Sequence, residues 1–328
     1  MNIRHLSASS IKTFKICQFA FLLSYGYHLR GFNNPGALKG TVTHNSVEEI
    51  LLAKKNEEKD LRPDIKDIVA RNFYIIQKED NDVGLTEDDH DECVDYVNKI
   101  ILDTNYGYFN KNIIGVEQKF DLCLDSIGKV VKENLSDMFA GQENSRELEA
   151  KFISELEEMA FRIFGFIDLI VEIDKDTIEI VDWKTSKKCL TPLEARTDAQ
   201  LLIYDLVCRI LFPDYKNRLV TLYYCKHKPI TECFTDKDAG NTIRALTLKW
   251  IQINMCNVPQ RTIKKADSFW KCTFCAFHSD SDNKFSERTK QCRANCDIFF
   301  KLHSAGEDME PIVQCVKDKI DLREIYGA

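Results

Sequence analysis

The sequence predicts an α/β fold: a mixed central β-sheet flanked by helices, with helical insertions and a C-terminal cysteine-rich segment. Three observations lead there. Four runs rich in β-branched and aromatic residues, 115–125, 161–173, 177–185 and 218–227, are interleaved with stretches of helical periodicity. Two of these runs are separated only by the turn-forming triplet Asp174, Lys175 and Asp176, which reads as a hairpin. Four of the 13 cysteines fall between 272 and 296.

Composition sets the outer bounds. The chain has 328 residues, 44% apolar and 30% charged, an ordinary globular mixture that excludes a disordered protein. No apolar run approaches the ~20 residues of a membrane span, so no membrane association is expected. The opening MNIRHLSASS lacks the basic-then-apolar layout of a secretory signal, which predicts a cytoplasmic, intracellular protein with reduced cysteines. An odd cysteine count argues further against a complete disulfide framework and leaves metal or cluster binding. The net charge of −7 hides an asymmetry. Residues 1–40 carry Arg4, Lys12, Lys15, Arg30 and Lys39 and no acid, and 259–293 carry eight bases against four acids. Acid concentrates at 79–95, with nine carboxylates and no Lys or Arg, and at 137–160; such runs ordinarily form solvated helix faces.

Taken in order, a helix is expected to start at the N-cap Ser7 and continue through IKTFKICQFAFLLSYGY, with Cys17 on it. A second helix, Thr41 to Lys55, places His44 and Glu48 on one face at i, i+4. Residues 56–110 read as a helical insertion, in which Thr86 caps an acidic first turn. After the run 115–125 comes a helical segment at 145–160, then the hairpin. TPLEARTDAQLLIYDLVCRILF reads as one amphipathic helix with Gln200 and Tyr204 a turn apart, and a last helix is expected within 297–328. No repeat or linker divides the chain, so one domain over 1–328 is expected. Its core would be 115–227, with 259–296 closing onto the N-terminal helix.

The hairpin carries the chemistry. If Ile173 lies opposite Thr177, Asp168 falls opposite Asp182 and Phe166 opposite Lys184, and period-two alternation puts Asp168, Asp182 and Lys184 on one face. Two carboxylates about 5 Å apart repel unless something positive lies between them. Hard oxygen ligands favour Mg²⁺ or Mn²⁺ over zinc, and an adjacent ammonium adds charge for a phosphodiester or hydroxide. A lone D-x-K is ordinarily a solvated surface tripeptide; its place in this hairpin changes that reading.

These residues also resemble a family. Gly165, Asp168, Asp182 and Lys184, as GxxD followed by DxK on a strand pair, resemble the PD-(D/E)XK nucleases, specifically the RecB-like group. LSASSIKTFKICQFAF is similar to that group's N-terminal LSxSxIxxFxxCxxxF, and Gly40 to His44 to its GxxxH. Glu117 stands where the group has a Glu before a strand, and Gln200 and Tyr204 match its QxxxY helix. The resemblance implies a restriction-endonuclease-like core in which His44, Asp168, Asp182 and the Trp183 carbonyl hold the metal and Lys184 is catalytic. Gln200 and Tyr204 would position water or phosphate, and Glu117 would support them. The segment between Glu117 and Asp168 is longer than the pattern, which bears on Glu117 alone.

Near the C-terminus Cys272 and Cys275 form a C-x2-C pair, followed by Cys292 and Cys296. With Cys17 on the first helix, this resembles the 4Fe-4S set of the iron–sulfur AddB and CRISPR-adaptation exonucleases, implying Cys17, Cys272, Cys275 and Cys292 as ligands. The alternative is structural Zn²⁺ on Cys272, Cys275, Cys292 and Cys296. Cys123, Cys208 and Cys225 lie in apolar periodic segments and are expected in the core. The resemblance thus implies a metal-dependent DNA exonuclease acting at free or single-stranded ends in recombination, repair or DNA processing. A helicase or recombination partner goes with that reading. A DNA-binding scaffold subunit of a helicase–nuclease complex, an endonuclease and an RNase are the alternatives.

Overall fold

The computed structural model describes residues 3–29, 35–79, 84–127, 141–257, 259, 296, 298–318, 322 and 325. Its contacts divide the chain into two compact units, one of Asn34–Leu248 and one of Met1–Asn33 with Lys249–Ala328.

The larger unit is built on a five-stranded sheet in the order β1-β2-β3-β4-β5: β1 Asn112–Cys123, β2 Arg162–Asp174, β3 Thr177–Lys184, β4 Asn217–Tyr224 and β5 Ile230–Cys233. Only β3 and β4 are parallel, so the sheet is mixed as expected. β3 is buried at nearly every position, the signature of a central strand covered on both faces. Two conformational signals absent from the periodicity shape the hairpin. The register Leu169↔Val181 to Glu172↔Ile178 is the expected one, but the turn closes with Asp174 opposite Thr177, leaving Ile173 bulged out. The Asp174 carboxylate accepts the Asp176 N–H, tightening the turn.

Three helices, α3 Pro35–Lys55, α4 Ile65–Glu79 and α5 Glu87–Leu102, cover one face. Val42, Ile50, Val97 and Ile100 pack there with Leu169, Val171, Val181 and Trp183 of the sheet. Each such side chain, fully buried, contributes about 1.5–3 kcal/mol. Thr86 caps α5 in a reciprocal box with Asp89. Part of the acidic run is paired and not merely solvated: Lys39 bridges Asp89 at 2.7 Å and Glu92 at 2.5 Å. Helix α6, Ser145–Glu158, lies between β1 and β2 in sequence.

The expected single helix after β3 is two, α7 Pro192–Arg196 and α8 Ala199–Leu211. Asp198 interrupts it because its carboxylate takes up the Gln200 and Leu201 N–H groups, the capping role that suits Asp better than a helix interior. Asp182 alternates with Val181 and Trp183 and therefore faces away from α3–α5, toward α8. β5 and the long helix α9, Asp236–Asn254, complete the order; neither carries a strong sequence signal.

In the smaller unit the expected long N-terminal helix is broken. Helix α1, Ala8–Ile16, starts at Ser7 with a capping box to Ser10 and ends at Cys17, whose extended backbone (φ −157) starts α2, Gln18–Phe21. The Cys17 sulfur accepts the Ala20 N–H at 3.4 Å, so Cys17 is a cap between two helices and not a mid-helix residue. Phe19, Leu23, Phe299, Ile312 and Cys296 form an apolar cluster against which Cys17 packs, with α10, Met309–Lys317, supplying the C-terminal side. Cys208 and Cys225 are buried as expected, whereas Cys123 is exposed because it lies on the solvent-facing alternation of β1. No helix among the described residues is long and apolar enough to cross a membrane.

Candidate active site

The site lies where β2 and β3 part. Their ladder ends at Leu169↔Val181, while β2 stays paired with β1 and β3 stays paired with β4 up to Lys184↔Tyr224. Side chains take over the freed backbone groups. The Trp183 N–H donates to Asp168 Oδ2 at 2.8 Å, and the Tyr204 hydroxyl donates to the Phe166 carbonyl at 2.8 Å. The expected Asp168–Asp182 and Phe166–Lys184 pairings therefore do not form, because the ladder stops one residue short of Asp168, but the fork this leaves holds the predicted polar groups.

On the α8 side, Asp182, Lys184, Gln200 and Tyr204 make one network. The Lys184 ammonium is 2.5 Å from Asp182 Oδ2 and donates to Gln200 Oε1 at 2.8 Å. The Gln200 amide donates from Nε2 to Asp182 Oδ1 at 2.6 Å and to the Tyr204 oxygen at 2.8 Å. Gln200 is thus read by both ends of its amide, which fixes its flip and holds Lys184 and Asp182 in place. Burial pushes the Lys184 ammonium down, but Asp182, with Asp168 and Asp198 behind it, carries it above the ordinary lysine value.

On the α3 side, donor atoms of His44, Glu117 and Asp168 all lie within 4.8 Å of one another. Glu117 belongs here despite the long segment before Asp168, because β1 and β2 pair directly although α6 lies between them in sequence. Val116↔Leu169 and Gln118↔Ile167 bracket Glu117 opposite Asp168. Its backbone is left-handed, φ 43, a strained conformation for a glutamate and one common at functional sites. Glu48, one turn along α3 from His44, also bears on it: burial and then Glu48 and Asp182 push the Glu117 carboxyl up to about 7. The i, i+4 spacing of His44 and Glu48 on α3 is the sequence signal for Glu48's place beside the site.

Asp168 is 7% and Asp182 3% exposed. Burial, then Asp182 and Glu117, hold the Asp168 carboxyl well above its usual range, against the Trp183 N–H and Lys184. The four carboxyl groups of Glu48, Glu117, Asp168 and Asp182 around the one ammonium of Lys184 leave the cluster short of positive charge. His44 shows the same deficit. Its Nε2 lies 3.3 Å from the Trp183 carbonyl and its Nδ1 3.4 Å from Asp168 Oδ2. Burial lowers its pKa, and a neutral imidazole has one N–H, so one ring nitrogen points a lone pair at an oxygen unless a proton or cation lies between. Oxygen donors, a neutral imidazole and excess negative charge fit a divalent cation.

Gly165 has a steric role. A Cβ there would fall 2.5 Å from Cζ of its cross-strand partner Phe120, whose ring packs edge-on against Tyr204 at 6.3 Å. The glycine lets that ring close over the strand and buttress the tyrosine. Of the predicted cysteine ligands, Cys272, Cys275 and Cys292 lie outside the described residues.

The family model of the PD-(D/E)XK nuclease superfamily matches residues 5–279. No curated protein matches the sequence. Among solved structures, a Eubacterium rectale protein described as a candidate exonuclease is 11% identical, with 81% of this chain and 87% of that chain covered and a TM-score of 0.47.

Proposed function

Because the chain belongs to the PD-(D/E)XK nuclease superfamily, we propose that it is a Mg²⁺- or Mn²⁺-dependent deoxyribonuclease that removes nucleotides from DNA ends. The observation that supports this best is the gathering of His44, Glu117 and Asp168 donor atoms within 4.8 Å, beside the Asp182–Lys184 pair. His44, Glu117, Asp168 and Asp182 would hold the cation, with the Trp183 carbonyl next to His44. Bound there, the ion would polarise a phosphoryl oxygen and lower the pKa of a water molecule. Lys184 keeps a fixed positive charge where the reacting phosphate gains negative charge, and it is preorganised for that by Gln200 and Asp182. Tyr204, whose burial holds its hydroxyl protonated well above the ordinary range, spans the fork and holds Gln200 and the Phe166 backbone at a fixed separation.

The locally basic 1–40 and 259–293 stretches would bind phosphates, with affinity falling steeply as salt rises. Action at ends would serve recombination, repair or DNA processing, alone or beside a helicase. Cys17, Cys272, Cys275 and Cys292 would ligate a 4Fe-4S cluster, with zinc on Cys272, Cys275, Cys292 and Cys296 as the rival. The activity is tested with end-labelled single-stranded, duplex and circular DNA in Mg²⁺, Mn²⁺ or EDTA. Metal-dependent loss of linear substrates with circles spared is the expected result. Cleavage of circles would make it an endonuclease, and RNA cut in preference to DNA an RNase.

A further inference from the structure

Beside the metal-ligand cluster, one face of the β1–β2 ribbon turns outward. On β1, Lys119, Asp121 and Cys123 are exposed while Phe120 and Leu122 are buried; on β2, Ile163 and Ile167 are buried while Phe164 is partly exposed and Phe166 is 45% exposed. Phe166 is the one exposed phenylalanine among the described residues. Leaving such a ring in water forgoes burial free energy. It is not an isolated surface residue. The Phe164 and Phe166 rings meet edge to face at 5.4 Å, Lys119 is the cross-strand partner of Phe166, and its ammonium lies 5.5 Å from the Phe164 ring centroid. Phe166 is also two residues from Asp168 on the same strand, so alternation puts both on one side, about 6.7 Å apart along it. That is of the order of one nucleotide step in an extended strand.

We infer that Phe166, backed by Phe164 and flanked by Lys119, is a stacking platform for an unpaired base adjacent to the scissile phosphate, so the strand entering the site is single-stranded. A base inside a duplex is stacked on its own neighbours and offers no face to the ring; an unpaired one does, whatever its identity. Lys119 supplies the charge that a phosphate backbone needs beside that ring, and Glu117 and Asp168 of the cluster lie on the same two paired strands as the platform. The platform's placement relative to the scissile bond rests on the nuclease reading; its binding of bases does not.

The test is equilibrium binding of a fluorescent oligothymidylate, and of the same strand with abasic sugars, with Ca²⁺ present, to wild type, Phe166→Ala and Phe166→Trp. For the thymidylate strand Phe166→Ala should raise Kd about 5- to 150-fold, the usual range for one lost base–aromatic stack. Phe166→Trp should keep affinity and show fluorescence quenching on binding. The abasic strand should bind wild type more weakly and Phe166→Ala no more weakly than wild type. Unchanged thymidylate affinity in Phe166→Ala, an equal loss on the abasic strand, or no binding by wild type would overturn the platform. So would a change in molar mass by light scattering in Phe166→Ala, which would make this face a contact between copies of the chain. Wild type that binds as expected yet leaves end-labelled DNA uncut in Mn²⁺ would refute the nuclease reading and leave the platform standing.

Discussion

Glu117→Gln keeps the side-chain shape at a left-handed backbone position and removes one charge from an overcrowded carboxylate cluster. The Glu117 carboxyl, 4.5 in its ordinary state, is pushed up to about 7 by burial, Glu48 and Asp182. Between pH 4.5 and about 7 the native state therefore holds a proton that the unfolded chain releases. By linkage this raised value adds nothing unfavourable below pH 4.5, and stability falls as pH rises from there through about 7. The full difference corresponds to about 3.4 kcal/mol, which partial exposure of the group reduces to roughly 1–2 kcal/mol. Glutamine carries no such penalty. In EDTA at pH 8 the variant should melt above wild type by about 2–8 °C, at about 2–4 °C per kcal/mol for a unit of this size. At pH 4 the two should coincide. Mn²⁺ should reverse the order at pH 8, because the wild-type cluster gains a bound ion that the variant holds less well. Thermal melts over pH 4–8, with EDTA or Mn²⁺, measure all three. A variant no more stable than wild type in EDTA at pH 8 would refute the reading of Glu117 as a strained member of a cation-deficient cluster.

Asp168→Asn should weaken Mn²⁺ binding, read by calorimetry, and part of the lost cleavage should return at high Mn²⁺; equal metal dependence in variant and wild type would contradict ligation. Gly165→Ala should destabilise by about 1–3 kcal/mol through overpacking against Phe120 and should lower cleavage by displacing Tyr204, with Phe120→Leu in the same chain restoring part of both; an unaffected single variant would remove the buttress. Anaerobically purified protein should be brown and hold about four irons, and Cys17→Ser should lose them. Colourless protein with one zinc, unchanged by Cys17→Ser, would replace the cluster with zinc and leave the nuclease site untouched.

The parts of the site legible in the sequence are those set by local periodicity. The hairpin register that places Asp168 and Asp182 at the end of the ladder follows from alternation and a short turn, and the Gln200–Tyr204 pair follows from one turn of helix. Glu117 is less legible, because only strand pairing between β1 and β2, not linear spacing, decides its neighbour when α6 lies between them in sequence. Capping chemistry also escaped the periodicity. Asp198 splits a continuous amphipathic pattern into two helices, and Cys17 does the same to the N-terminal one, each by accepting backbone N–H groups that the pattern alone assigns to a helix interior. The fork between β2 and β3 had no signal in the register rule, since it depends on Tyr204 and Asp168 taking backbone partners that a continued ladder would have used.

The central claim is that Asp182 and Lys184 act on a phosphate at this fork, and the most direct measurement is single-turnover cleavage of end-labelled DNA in Mn²⁺ by wild type, Asp182→Ala and Lys184→Ala, with DNA affinity measured alongside. Wild type should cleave, and each variant should lose about 10²- to 10³-fold or more in rate, as for a lost transition-state stabiliser, while binding DNA within a few-fold of wild type. Near-wild-type cleavage by either purified variant would contradict the account.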